Sequence, residues 1–200
     1  VESASAAALI ELGPKLLAAG VDVIPLSLTA MTDREVERRL TDAACTGPGR
    51  LEIAPGAMAS LDLLASAREE GLERVVYRQT KSVTMWKRTP AAGLADLDAI
   101  RERGVFLRGS VREVAKHFPH NLNTSVGVAL AGLGLDRTEA ELVADPAVRH
   151  TAHELDIYAG PGNATVRLGG REVSPDGDPV DYTTFSLMRL LRRRLSRVAV

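Results

Sequence analysis

Polar side chains flank one uncharged segment in the second half of the chain. Asn121 and Asn123 precede residues 126–133, which carry no charge, and His153 follows. Residues 152–159 alternate between apolar and polar types, which is typical of a half-buried strand, and His153 falls on the apolar face. An imidazole buried there must find a hydrogen-bond partner or border a cavity, because an unpaired buried polar group costs about 1–3 kcal/mol. His153 is therefore the first candidate for a functional side chain.

Two histidine pairs raise the question of a metal site. His117 stands three residues before His120, and His150 stands three residues before His153. No carboxylate or thiolate cluster accompanies these pairs, and residues three apart on a strand point to opposite faces. The sequence therefore predicts no metal site.

Helices and strands alternate along the first 80 residues. Apolar spacing predicts helices at 3–19, 32–44 and 57–70 and strands at 21–26, 50–53 and 73–80. Thr32 begins the second helix, with Glu35 three residues later as in a capping box. Strands that alternate with helices are typical of a parallel sheet covered by helices. We therefore expect a doubly wound, Rossmann-like α/β layer over residues 1–80.

A glycine-rich phosphate loop is missing from this predicted layer. Gly132-Leu133-Gly134 is followed by Arg137 where the third glycine of G-x-G-x-x-G belongs, and Gly160-Pro161-Gly162 is followed by Thr165. The predicted layer also begins on a helix. We therefore expect that an upstream strand, glycine turn and helix are absent from this sequence.

Beyond residue 80 the pattern changes to consecutive strands with short turns. The predicted strands are 105–108, 139–144, 152–159 and 163–168. The predicted helices are 91–103, 110–117, 126–133 and 185–198. Ser110 caps the second of these helices, and the third is expected to be buried. Gly160-Pro161-Gly162 reads as a hairpin connection, so a largely antiparallel sheet is favoured. We therefore divide the chain into a partial doubly wound α/β domain (1–80), an α+β domain (81–180) and a C-terminal helix (181–200).

Composition argues against several classes of partner. The 25 basic and 26 acidic residues nearly cancel, so the chain lacks the positive field that nucleic-acid binding needs. Arg192-Arg193-Arg194 falls near a helix C-terminus, where cations are favourable for electrostatic reasons alone. The apolar run 126–135 is too short for a membrane span of about 20 residues. Cys45 is the only cysteine, which suits a reducing cytoplasm, where we expect the protein to act.

Six short motifs follow one another along the chain: Ser27-Leu28-Thr29-Ala30-Met31-Thr32-Asp33, Pro55-Gly56-Ala57-Met58 with Leu61-Asp62, Phe118-Pro119 with Asn121 and Asn123, Gly134-Leu135-Asp136-Arg137-Thr138, Ala144-Asp145-Pro146, and His153-Glu154. In this order they resemble the L-aspartate dehydrogenase family, and the resemblance covers residues 1–158. Each motif alone is weak, and their shared order and compatible spacing give the resemblance its strength.

The resemblance implies a fold, an activity and three site residues. Family members join a dinucleotide-binding Rossmann domain to an α+β domain similar to that of homoserine dehydrogenase. The resemblance therefore implies a partial dinucleotide-binding domain over residues 1–80 and a substrate and catalytic domain over residues 81–180. The implied reaction is the oxidation of L-aspartate to iminoaspartate with NAD or NADP, which feeds NAD biosynthesis, in a homo-oligomeric enzyme. His153 takes the place of the family's active-site histidine, while Ala57 and Asn123 match positions that contact the cofactor.

The chemistry of these side chains agrees with the implied roles. Hydride leaves the substrate Cα only as the amino lone pair forms an imine, so a base must keep the amine neutral, and an imidazole with a pKa near 6.5 suits this. The alternative for His153 is a satisfied core histidine. Asn123 can hydrogen-bond a carboxamide or carboxylate, or it can cap the helix that follows. Lys81, Lys87 and Arg88 are either anchors for the substrate carboxylates or solvated surface cations.

Two other functions remain open from the sequence. The chain can be a non-catalytic relative or truncated product that acts as an oligomerising or binding module, or a related dehydrogenase that acts on another amino acid. The sequence does not distinguish NAD from NADP, because the residue that reads the ribose lies in the expected upstream segment.

Overall fold

Five strands form one mixed sheet in the computed structural model, which describes residues 1–170 and 181–198. The strands are β1 Leu72–Lys81, β2 Gly104–Ser110, β3 Glu139–Ala144, β4 Ala152–Ala159 and β5 Gly162–Gly169. Their order across the sheet is β2-β3-β1-β4-β5. The β1–β3 pair is parallel and the other three pairs are antiparallel. The predicted mixed α/β class with a largely antiparallel sheet is confirmed.

The strand predicted at residues 73–80 forms, but its predicted place in the parallel layer is wrong. It is β1, at the centre of the five-stranded sheet, where Val75, Val76 and Tyr77 are fully buried. In the described part of the chain, the parallel layer consists only of two isolated bridges, Glu2 with Pro25 and Val23 with Leu51. Local alternation predicts a strand but not its partner, because pairing depends on segments far away in sequence. The domain boundary at residue 80 stays a prediction.

Seven α-helices accompany this sheet in the described ranges. They are α1 Ala6–Ala18, α2 Arg34–Thr46, α3 Asp62–Glu70, α4 Val83–Lys87, α5 Val111–Lys116, α6 Asn123–Ala131 and α7 Thr183–Leu195. The predicted cap of α2 is wrong by one residue: Asp33 accepts the N–H groups of Glu35 and Val36, whereas Thr32 bonds back to Thr29. Within the described ranges, no helix is both long and apolar enough to cross a membrane.

Two other predicted helices differ from the structure. The helix predicted at 91–103 is instead two 3-10 turns, Pro90–Gly93 and Leu97–Ala99. Thr89 and Asp96 each accept a backbone N–H two residues later, so the chain begins two short turns rather than one helix. The helix predicted at 57–70 is interrupted by Ala59, whose φ of +60° lies outside the right-handed helical region. Only α3 remains of it as a regular helix.

The predicted elements around His153 are confirmed. Ser110 and Glu113 form both halves of the capping box that begins α5. Helix α6 is buried over Ser125, Val126, Gly127, Val128 and Ala129, as its uncharged sequence predicts. β4 and β5 pair out to Ala159 and Gly162, so residues 160–161 form the hairpin turn.

The two faces of the sheet differ in chemistry. On one face, Arg78 forms ion pairs with Glu141 (2.5 Å), Glu154 (2.8 Å) and Asp156. Tyr77 lies on the opposite face and belongs to an apolar cluster with residues of α3 and β4. The contrast follows from the strand period of two residues.

The predicted C-terminal helix is confirmed as α7, and it packs against the first part of the chain. Leu190 shares a small apolar cluster with Ile24 and Ala54. Arg194 forms ion pairs with Asp22 (2.8 Å) and Glu52. These contacts bring the start of α7 to a cavity beside β1 and β4.

Candidate active site

A cavity of about 410 Å³ lies beside the end of β1 and the start of β4. Segments that are distant in sequence meet around it: the β strands, the start of α6, the turn near Gly56 and the residues that precede α7. His153, the first candidate from the sequence, forms part of its wall. The cavity is therefore the place where the predicted site residues can be compared.

Alternate residues of β1 point toward the cavity side of the sheet. Tyr77, Gln79 and Lys81 are two residues apart and so share one face. His153 pairs directly opposite Gln79 in the antiparallel register of β1 and β4, which places it on the same face. Gln79, Lys81 and His153 line the cavity, and Tyr77 supports it from beneath.

His153 is only 4% exposed and is held by Tyr77. The Tyr77 hydroxyl lies 2.6 Å from His153 Nδ1, while His153 Nε2 is buried and makes no hydrogen bond within the described residues. Burial lowers the pKa of His153 to about 4, although the charge of Asp181 opposes this shift. Burial therefore moves the pKa of His153 well below the unperturbed value near 6.5 that the sequence analysis considered. At neutral pH the imidazole is uncharged.

Tyr77 and Gln79 are site residues that the sequence analysis missed. Burial raises the pKa of Tyr77, so its phenol keeps its proton. Gln79 is 4% exposed, and its buried Oε1 has no hydrogen-bond partner in the described part of the chain. The available signal was the spacing Tyr77-x-Gln79-x-Lys81 on a predicted strand, because three polar groups on one strand face are unusual for a buried core.

Of the three proposed carboxylate anchors, only Lys81 lines the cavity. Its Nζ lies 5.0 Å from the ring centroid of Trp86, and burial lowers its pKa. Trp86 is fixed in turn by donation from its indole N–H to the carbonyl of Val143 at 2.8 Å. Lys87 pairs with Asp98 outside the cavity.

Asn123 lines the cavity but does not cap a helix. It is the first residue of α6, whose cap position is Leu122, and its Oδ1 accepts the backbone N–H of Thr29 at 2.9 Å. The interpretation of Asn123 as an N-cap is therefore wrong, and the side chain instead links α6 to the first part of the chain. Ala57 is 2% exposed and is not among the lining residues, although its neighbour Gly56 is. Contact of Ala57 and Asn123 with a cofactor stays a prediction.

Three histidines line the cavity, His120, His150 and His153, although the sequence predicted that His150 and His153 lie on opposite faces of a strand. His150 was expected on the opposite face from His153, but it precedes β4 and so does not follow the strand alternation. His120 approaches from the loop before α6. Within the described residues, no group of three or more His, Cys, Asp or Glu side chains could hold a metal ion.

Comparison with known proteins gives consistent similarities. A family model described as "Aspartate dehydrogenase, C-terminal" matches residues 62–194. The chain is 36% identical to the L-aspartate dehydrogenase of Serratia proteamaculans (strain 568) over 193 residues, which cover 96% of this chain and 73% of the relative. It is 36% identical to that of Ralstonia pickettii (strain 12J) over 200 residues, which cover 100% and 75%.

A solved structure extends the similarity to the fold. The crystal structure of aspartate dehydrogenase from Thermotoga maritima has a TM-score of 0.80 and 26% sequence identity with this chain. The match covers 100% of this chain and 76% of that one. The similarity in fold therefore includes the sheet, α6 and α7.

Proposed function

Because this chain belongs to the aspartate dehydrogenase family, we propose that it oxidises L-aspartate to iminoaspartate with a nicotinamide cofactor, NAD or NADP. One observation carries the proposal. His153 Nε2 is buried in the cavity wall, and no described residue pairs with it. A neutral imidazole in this position can accept a proton from a bound ammonium group.

The described residues fit the reactive end of such a cofactor. Asn123 Oδ1 is already bound to Thr29, so its Nδ2 can donate to a carboxamide oxygen in the cavity. Gly56 lines the same wall with a φ of +58°, a conformation that suits glycine, and it presents no side chain to a ligand. When bound, the cofactor supplies the acceptor for hydride from the substrate Cα.

His153 supplies the base for this oxidation. The substrate ammonium first gives a proton to His153 Nε2; the Cα–H bond then breaks with its electron pair as hydride leaves, and the nitrogen lone pair forms the C=N bond. His153 Nε2 can accept a proton only if Nδ1 carries the proton of the neutral ring. The Nδ1–H group then donates a hydrogen bond to the Tyr77 oxygen. The Tyr77 oxygen can accept this bond because a phenol oxygen carries lone pairs as well as a proton. The lowered pKa of His153 keeps the Nε2 lone pair free at neutral pH.

Lys81 supplies the charge that a dicarboxylate requires. Its ammonium group lies at the end of β1, on the same strand face as Gln79, and it lines the cavity. A cation in a partly desolvated site binds a carboxylate more strongly than a cation in water does. We therefore assign Lys81 to a substrate carboxylate.

Kinetics of His153 variants test the proposed function in the full-length protein that contains this chain. We expect His153→Ala to lower kcat/KM for L-aspartate by about 10²–10⁴ and to change the cofactor dissociation constant little, because a positioned general base contributes about this much. His153→Asn keeps hydrogen bonding but accepts no proton near neutral pH, so it should lose as much. His117→Asn removes an exposed histidine outside the cavity and is the matched control.

The outcomes separate the alternatives. A folded His153→Asn protein with near-normal turnover would remove His153 from the mechanism. A wild-type protein that oxidises a different amino acid would indicate a related dehydrogenase, and one that oxidises none would indicate a binding module.

Three further features belong to this proposal. We propose a role in NAD biosynthesis, since iminoaspartate is the product. We also propose a homo-oligomer, which size-exclusion chromatography with light scattering would measure. A cytoplasmic location is supported by the single cysteine, Cys45, which is exposed and forms no disulfide.

A further inference from the structure

Two neighbouring residues on the cavity wall each carry a buried acceptor atom. Gln79 and His153 are directly opposite each other in the register of β1 and β4, and each is 4% exposed. Gln79 Oε1 and His153 Nε2 are both buried, and neither makes a hydrogen bond with a described residue. Because an unpaired buried polar atom is unfavourable, a ligand that pairs with both atoms gains affinity from both.

This pair of atoms selects a donor with more than one hydrogen. An amide oxygen only accepts hydrogen bonds, and an imidazole Nε2 accepts when Nδ1 carries the proton. An ammonium group or primary amine presents several N–H bonds from one nitrogen, whereas a hydroxyl presents one and a carboxylate presents none. The acceptor pair therefore fits an amino group.

The position of Lys81 agrees with this assignment. Lys81 follows Gln79 by two residues on the same strand face, and all three side chains line one cavity. These three side chains thus offer two acceptors beside a cation. An α-amino acid carries the complementary set, an amino group beside a carboxylate.

We propose that Gln79 is a substrate-binding residue whose Oε1 holds the α-amino group of the amino acid jointly with His153 Nε2. The proposal rests on the proposed function and extends it to selectivity between amino and hydroxy acids. Gln79 holds one N–H while His153 receives the ammonium proton, so the nitrogen stays in place as its lone pair forms the imine. A hydroxy acid has only one donor hydrogen at this position and leaves one acceptor unpaired. A site built to bind a donor strongly rejects an analogue that lacks this donor.

Binding of L-aspartate and L-malate to wild type and Gln79→Leu tests this. L-Malate carries a hydroxyl where L-aspartate carries the amino group. Calorimetry on the full-length protein with saturating reduced cofactor measures both dissociation constants without turnover. We expect Gln79→Leu to weaken L-aspartate binding about tenfold or more and to change L-malate binding less than about threefold, since one hydrogen bond to a charged group is lost. Thr80→Val, on the opposite sheet face, is the matched control and should change neither constant.

The results distinguish this proposal from the proposed function. One outcome is that the wild type oxidises L-aspartate while Gln79→Leu keeps the wild-type ratio of the L-aspartate and L-malate dissociation constants. This outcome contradicts the role of Gln79 and leaves the proposed function standing. Wild type that neither binds nor oxidises L-aspartate overturns both. If Gln79→Leu binds neither ligand, Gln79→Glu decides, because it keeps an acceptor oxygen: a retained preference for L-aspartate supports the proposal, and a lost preference contradicts it.

Discussion

The buried imidazole of His153 should make the stability of the protein depend on pH. In the folded state burial lowers its pKa to about 4, whereas the value in an unfolded chain is 6.5. Between these values the unfolded state binds more protons than the folded state, so stability rises with pH. The contribution is fully present above pH 6.5 and is lost as the pH falls through 4.

The size of this effect follows from the two pKa values. Each pH unit between them changes the unfolding free energy by about 1.4 kcal/mol, so the whole window is worth about 3 kcal/mol. Between pH 7 and pH 5, the linkage relation gives a loss of about 2 kcal/mol. His153→Asn has no such titration. The stability advantage of wild type over this variant should therefore shrink by about 2 kcal/mol between pH 7 and pH 5.

Urea unfolding followed by circular dichroism measures the difference at both pH values. Taking the difference between wild type and variant cancels the other titrating groups, because both proteins share them. His117→Asn, an exposed position, provides the control. If the stability advantage of wild type over His153→Asn is the same at pH 7 and pH 5, the lowered pKa is refuted. His153 would then behave as an ordinary, hydrated imidazole.

Two predictions concern the residues around His153. In steady-state kinetics, Lys81→Met should raise KM for L-aspartate about tenfold or more with a smaller change in kcat, because the substrate carboxylate loses its cation. Lys87→Met is the control and should change neither constant, since Lys87 pairs with Asp98 outside the cavity. Equal effects of the two substitutions would argue against Lys81 as an anchor. Tyr77→Phe should lower kcat about tenfold and leave KM nearly unchanged, because the Nδ1 proton of His153 loses its acceptor; an unchanged kcat would show that Tyr77 does not select the tautomer.

Local interactions let the sequence predict much of the second half of the chain. The alternation over residues 152–159 placed His153 on a buried face, and the spacing of Ser110 and Glu113 predicted the cap of α5. The uncharged run at 126–133 predicted the buried helix α6. Capping bonds and side-chain periodicity act over a few residues, so they can be read from neighbouring positions.

Contacts between distant segments were decided only by the tertiary structure. Asn123 was assigned a cofactor contact from the resemblance and a cap role from its place at the start of a helix, but its bond to Thr29 joins residues 94 positions apart. Lys81 and Lys87 have the same side chain and lie close in sequence, yet only Lys81 lines the cavity.

The sequence by itself determined that His153 is buried on a strand and that the chain resembles one dehydrogenase family. Only the tertiary structure decided which groups surround His153. Tyr77 and Gln79 meet it because β1 pairs with β4 in one register, and a shift of one residue would turn both side chains to the other face. Register is set by the packing of whole strands against helices and partner strands, and this information is spread across the chain rather than held in the residues near His153.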